Sequence, residues 1–292
     1  MASGYGKWYV VLVVTMFLWA TFFPGSKHLT ETISPLTLSF LRYFFAVIAL
    51  VPFSLTRRVE RADVSRLVGL GALGIAGFTF LLYSGLARST ASSSSIIVNS
   101  QAIFVAFLSP WLIKEHFTKR RIAGALVGVA GLVLVITNGE SLGSIVSEEY
   151  FIGDMLLICA ALAMGIYSIY MKGYVSKYGS TTATFYTMVF GLALLTLALV
   201  GYGAAPELGD LTAPQWAIAA YIGAVPTALV YIVFNYSLRI VGVVNATAFK
   251  LLMPIFAVML SIALLSEEAT VAMLVGLALV IGGIFTIQST RH

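Results

Sequence analysis

Ten apolar runs, each long enough to cross a lipid bilayer and separated by short charged, Gly, Pro or Ser breaks, constrain this chain more than any other feature. They occupy residues 8–28, 34–55, 66–87, 91–112, 120–138, 152–174, 181–202, 214–238, 244–265 and 270–289. A hydrocarbon core of roughly 30 Å is crossed by about 20 helical residues. Lipid offers the backbone no hydrogen-bond partner, so each run must close its own bonds as a helix. The 292 residues are 60% hydrophobic and 10% charged, with a mean hydropathy of +0.98, which excludes a soluble globular domain. The expected fold class is all-α integral membrane, with ten transmembrane helices.

Lys and Arg collect on the cytoplasmic side of membrane proteins, which makes the loops a test of topology. With the N-terminus inside, Lys7, Arg57, Arg58, Arg61, Arg66, Lys114, Lys119, Arg120, Arg121, Lys172, Lys177, Arg239 and Arg291 all fall on that side. Only Lys27 and Arg88 fall outside, where the loops carry Glu140, Glu148, Glu149, Glu207, Asp210, Glu267 and Glu268. Both termini are therefore expected in the cytoplasm, with the protein multi-pass in the inner or plasma membrane. The net charge of +5 belongs to the inner loops and does not point to nucleic acid. The single cysteine, Cys159, lies in the sixth run, so neither an internal disulfide nor a thiolate metal site can form. No metal or other cofactor is expected. The first run lacks a small-residue cleavage site and reads as a retained helix, with a cleaved signal as the alternative.

The fifth and tenth runs belong to a duplicated segment. At an offset of 152 (255 − 103), Ile103, Phe104, Leu108, Ser109, Leu112, Glu115, Thr118, Gly124 and Gly131 are identical to Ile255, Phe256, Leu260, Ser261, Leu264, Glu267, Thr270, Gly276 and Gly283. His-Phe-Thr-Lys-Arg-Arg follows Glu115, whereas Glu-Ala-Thr-Val-Ala-Met follows Glu267, so one loop is basic and its copy acidic. The copies should face opposite sides. Two inverted five-helix repeats around a central cavity are expected, over 1–138 and 152–292, joined by an external linker at 139–151. Inverted repeats are a feature of secondary transporters. No GxxxxGK[ST] phosphate loop and no soluble domain is present to drive transport with ATP.

The first run carries Trp19-Ala-Thr-Phe-Phe and the second SPLTLSFLRYFFA, with Pro35 and Arg42. Thr227, Asn235, Leu238, Pro254, Glu267, Gly276 and Gly283 follow in order near the C-terminus. In these elements the whole chain resembles the drug/metabolite transporter superfamily, specifically the EamA-type ten-helix transporters, although Ala102 stands where the second copy has Pro254. The resemblance implies a cavity between the halves, peripheral fifth and tenth helices, and alternating access for small metabolites, often in amino-acid export. Substrates differ across the superfamily, so the likeness supplies none.

Polar groups at membrane depth are costly and need an account. Lys250 is the main candidate for solute binding or for titration during transport. Pro254, four residues on, cannot donate to its carbonyl, so an ammonium and a free carbonyl should lie close together. Snorkelling to the cytoplasmic side is the alternative. Arg42 reads as structural, its side chain leaning back toward the external face. Asn99 shares a face with Ser92 and Ser95, and Thr227, Tyr231 and Asn235 form a comparable stripe. Trp19, Phe22 and Phe23 precede Pro24-Gly25; Tyr167, Tyr170 and Tyr174 form a similar face in the sixth run, and Tyr83 adds a phenol in the third. Such faces suit planar or apolar parts of a solute, and equally suit packing. Pro24, Pro226 and Pro254 are expected to kink their helices. Gly124, Gly128 and Gly131 read as close helix packing.

The function expected is secondary-active or facilitative transport of small metabolites by alternating access, most plausibly amino-acid or related metabolite export. An importer or exchanger of nucleosides or organic acids is the alternative within transporters. A passive channel or an intramembrane enzyme are the alternatives outside them. The enzyme reading lacks its parts: HExxH is absent, His28 and His116 sit near span ends, and His292 is terminal. No Asp or Glu lies near a span centre, which leaves Lys250 as the titratable candidate if a proton is coupled. The partners expected are a small-molecule solute, the lipid bilayer and a candidate proton, in a monomer or weak homodimer.

Overall fold

The computed structural model describes residues 5–54, 58–113, 118–138, 149–241, 246 and 249–288. All regular structure among them is helical. Among the described residues nine helices are long and apolar enough to cross a membrane: α1 (Gly6–Thr30), α2 (Pro35–Ser54), α3 (Arg61–Arg88), α4 (Ala91–Leu108, continuing to Ile113), α5 (Lys119–Thr137), α6 (Glu149–Tyr178), α7 (Ser180–Gly201), α8 (Ala213–Ser237) and α10 (Val271–Gln288). Between the last two lies a shorter apolar helix, α9 (Leu252–Leu265). Of the linker expected over 139–151, residues 139–148 fall outside the described residues and 149–151 belong to α6; Glu115 and its neighbours also fall outside.

Several helices overrun the apolar runs. α3 starts at Arg61 rather than 66, and α6 covers 149–178 rather than 152–174. A helix does not stop at the membrane boundary, because its backbone bonds continue equally well in water. The starts carry side-chain caps: the Thr90 hydroxyl accepts from Ser93 N at 3.0 Å, and that of Thr118 from Arg121 N at 3.2 Å. Gly179, at φ +84°, lies in a left-handed conformation that lets α7 double back on α6.

Pro24, Pro226 and Pro254 lie at three different irregularities of their helices. α1 breaks at Thr21, one turn before Pro24, whose missing N–H leaves the Ala20 carbonyl without its helical donor. In α8 a wide π-helical turn, Gly223–Leu229, contains Pro226; the Ile222 carbonyl that Pro226 cannot serve receives the Thr227 hydroxyl instead, at 2.8 Å. A matching π-helical turn, Ala72–Gly77, lies in α3, and the repeat offset carries it onto Ala224–Leu229 (72 + 152 = 224). Before Pro254, Met253 N–H donates to the Lys250 carbonyl at 3.1 Å. That carbonyl is therefore occupied, contrary to the sequence expectation, because a tighter i+3 turn replaces the missing bond.

Glycines set the closest helix contacts. A Cβ on Gly124 would lie 2.8 Å from the Gly283 carbonyl oxygen and one on Gly131 2.6 Å from that of Gly276, so α5 and α10 run antiparallel with their backbones touching. A Cβ on Gly71 of α3 would lie 2.8 Å from the Thr187 carbonyl oxygen of α7, and one on Gly223 of α8 2.6 Å from that of Arg42 in α2. Around this core the outward faces expose Leu126, Leu197, Val271 and Phe285, a surface suited to lipid rather than water.

Polar contacts gather at the two ends of the bundle. At one end Lys27 donates to the carbonyls of Leu86, Ala87 and Ser89 at 2.9, 3.3 and 2.7 Å, closing the C-terminus of α3. Glu267 accepts from the amides of Ala91 and Ser92 at 2.6 and 3.0 Å, closing the N-terminus of α4, and the Ser89 hydroxyl donates to Asp154 at 2.5 Å. Glu207 receives Thr37 at 2.7 Å at the same end. At the other end Lys177 pairs with Glu60 at 2.7 Å and Asp63 at 2.8 Å, and the Tyr178 hydroxyl donates to Asp63 at 2.6 Å.

Candidate functional site

The interrupted α1 brings two cations onto neighbouring aromatic rings. Trp19 and Phe22 are separated by about one helical turn. The Lys250 ammonium stands 5.2 Å from the Trp19 ring and 4.6 Å from that of Phe234, and these two rings meet edge to face at 5.9 Å. Among the described residues no carboxylate pairs with Lys250. Its charge is instead held by ring quadrupoles, an arrangement that strengthens as water is excluded.

Phe22 carries the second cation. The Arg42 guanidinium lies 4.2 Å from the Phe22 centroid, with Tyr43 at 5.3 Å and Phe78 at 6.0 Å. Tyr83 meets Phe22 at 6.0 Å, so α1, α2 and α3 all contribute. Arg42 is only 9% exposed; its Nε donates to the Thr227 hydroxyl at 3.1 Å, while Nη1 has no hydrogen-bond partner. Snorkelling toward the external face does not occur. Thr227 donates its own proton to Ile222, which leaves its oxygen to accept, and the Phe22 face attracts the cation from the other side. Arg42 was thus a member of this cluster that sequence reasoning assigned to structure. Its depth of two turns inside α2 was the available signal.

The second half of the chain holds a neutral counterpart. The Tyr167 hydroxyl lies 3.0 Å from that of Thr187, and its ring packs against Gly74 in the π-helical turn of α3, where a Cβ would come within 2.1 Å. Tyr167 and Thr187 stand at one common offset from Phe22 and Arg42 (167 − 22 = 145; 187 − 42 = 145). Tyr231 bonds the Thr184 hydroxyl and the Ser180 carbonyl, linking α8 to α7. Asn235, one turn further on, lies beside the Tyr231 hydroxyl.

The structure therefore gathers Trp19, Phe22, Tyr83 and Lys250 around α1, and places Tyr167 and Tyr231 in a hydroxyl network along α6, α7 and α8. Asn99 donates to the Ser95 carbonyl of its own helix at 2.7 Å, beside the interruption of α4 at Ser100. Tyr170 is 45% exposed, whereas Tyr167, just under one turn before it on α6, is buried.

These helices and their apolar surface define a multi-pass membrane protein. The chain belongs to the EamA-like transporter family, whose model matches residues 6–137 and 151–289. It is a membrane transporter, as its relatives are. The uncharacterized transporter YdfC of Bacillus subtilis (strain 168) is 27% identical over 91% of this chain and 86% of its own. A probable terminal-alkyne amino-acid exporter of Streptantibioticus cattleyicolor is 26% identical over 95% of this chain and 92% of its own. A solved crystal structure at 18% identity superposes with a TM-score of 0.64 over 96% of this chain and 98% of that one, a likeness of fold.

Proposed function

We propose that the protein is a secondary transporter that moves a small polar or zwitterionic metabolite, an amino acid or a close relative, out of the cell by alternating access. The observation that carries this reading is the Lys250 ammonium, from the second half of the chain, standing over the Trp19 ring of the first. A cation at that seam changes its surroundings whenever the halves move against each other. Solute would bind there, against Trp19, Phe22 and Tyr83, with Lys250 as the group able to titrate. Transport is then facilitative or weakly proton-coupled, since no carboxylate relay lies at span centres.

Two inverted repeats, 1–138 and 152–292, would supply the motion. The crossed glycine contacts support this. A two-fold axis in the membrane plane exchanges equivalent residues of two antiparallel helices, so it sets Gly124 against Gly283 and Gly131 against Gly276, as observed. An axis along the membrane normal would have set Gly124 against its own equivalent, Gly276. The parity of ten spans and the distribution of Lys and Arg support cytoplasmic termini in the cell membrane. The choice of amino-acid export leans on the one relative named as such.

Counterflow of radiolabelled amino acids by the purified protein in proteoliposomes tests the reading. Saturable counterflow, reduced at least tenfold by Lys250→Met, is the outcome expected; a passive channel or an enzyme gives none. Transport that depends absolutely on a proton gradient and is unchanged in Lys250→Met overturns the assignment of Lys250.

A further inference from the structure

We propose that Arg42 is the carboxylate anchor of the solute site, its unoccupied Nη edge receiving one carboxylate in bidentate fashion above the Phe22 ring. The proposal rests on the transporter reading for the route by which solute reaches it.

The cations at the ends of the bundle are paired, Lys27 with three carbonyls and Lys177 with two carboxylates, while the inward Lys250 rests on two aromatic rings. Arg42 is more deeply buried than Lys177, yet among the described residues it has no carboxylate partner and makes one hydrogen bond, to Thr227. A buried charge without a counter-ion is unfavourable, and a bound anion would offset part of that cost. The bond from Nε holds one edge of the guanidinium and the Phe22 ring supports its face, so the fork is fixed in place before a ligand arrives.

Polar groups lie on the neighbouring helices. Thr79 Oγ1, next to Phe78, is buried with no hydrogen-bond partner, like Arg42 Nη1. Tyr83, one turn beyond Thr79, shares a side-chain hydrogen bond with Ser26, one turn beyond Phe22, and lies near Arg42. A guanidinium edge and hydroxyls offer donors, which an acceptor-only group such as a carboxylate suits. One guanidinium carries one charge, which matches a monocarboxylate rather than a phosphate dianion. The equivalent Thr187 is uncharged and already bonded to Tyr167 and to the Ala183 and Thr184 carbonyls, so the anchor is built on one side only.

Thermal unfolding of the purified full chain tests this with the proteinogenic amino acids, acetate and benzoate, each acid against its methyl ester, and with inorganic phosphate as the competing anion. At least one free acid raises the midpoint while its ester and phosphate do not. In Arg42→Met that shift disappears, and the midpoint without solute equals or exceeds the wild-type value, because an apolar side chain replaces an unpaired charge. Arg42→Lys, which keeps the charge but not the fork, needs at least about tenfold more solute for half the shift, the loss of one charge-assisted hydrogen bond. The anchor is overturned if no acid shifts the wild type, if ester or phosphate shifts it equally, or if Arg42→Met keeps the shift. It is equally overturned if Arg42→Met and Arg42→Lys both unfold at lower temperature without solute, the mark of a structural arginine. A carboxylate-dependent shift without counterflow sinks the transport reading and leaves the anchor. Counterflow of a carboxylate-free solute that survives Arg42→Met does the reverse.

Discussion

The Cβ position of Gly131 lies 2.6 Å from the carbonyl oxygen of Gly276, with Leu279 Cβ and Val280 N at 2.8 Å. Two of these three atoms are backbone, so the partner helix cannot turn a side chain away. Gly131→Ala should therefore force α5 and α10 apart and cost about 1–3 kcal/mol, the range for overpacking a close contact. Gly173 in α6 has nothing within 4 Å of its Cβ position. There Gly173→Ala should gain about 0.5–1 kcal/mol through helix propensity alone. Denaturant titrations of the two variants in mixed micelles check the pair; equal effects would mean that the glycine contact does not hold α5 to α10.

Glu207 ties the turn after α7 to the start of α2. Burial raises its carboxyl, but hydrogen bonds from the Thr37 hydroxyl and the Ser34 amide, with the Ser34 side chain beside them, outweigh it, leaving the group below its ordinary 4.5. A carboxyl lowered on folding contributes stability that is complete above its ordinary value and lost as pH falls through the lowered folded one. Wild type should thus unfold at a higher temperature than Glu207→Gln at pH 7. The gap should narrow below 4.5 and close with further acidification. A gap independent of pH would assign the effect to packing.

Topology can be read directly from labelling. In a Cys159→Ser background, Tyr202→Cys places a thiol at a position that is 85% exposed after α7, and Arg58→Cys places one before α3. A membrane-impermeant maleimide should label the first on intact cells and the second only after permeabilisation. Labelling of both from the same side would sink the ten-span arrangement.

Length, apolarity and the main helices were legible because the bilayer imposes them residue by residue. Lys27 shows where that legibility ended. It counted against the charge rule, yet in the structure it closes the C-terminus of α3 through three carbonyls 59 to 62 residues away. The tyrosine face expected over 167, 170 and 174 divides instead: Tyr167 is buried against Gly74 while Tyr170 is 45% exposed. Helices apolar on every side carry little periodicity to say which face meets lipid and which meets protein.

The sequence by itself determined that the chain spans a membrane, roughly where, that its ends of helices differ in charge, and that Gly124, Gly131, Gly276 and Gly283 recur as a set. Only the tertiary structure decided that these glycines cross-pair, that Met253 occupies the Lys250 carbonyl, and that Arg42 turns inward. The last depends on Thr227, 185 residues away, whose hydroxyl is turned toward Ile222 by the absent N–H of Pro226. A side chain two turns deep can reach either the interface or the interior at comparable local cost. The partner that fixes the choice comes from another helix, and the lipid-facing pattern of the sequence does not record it.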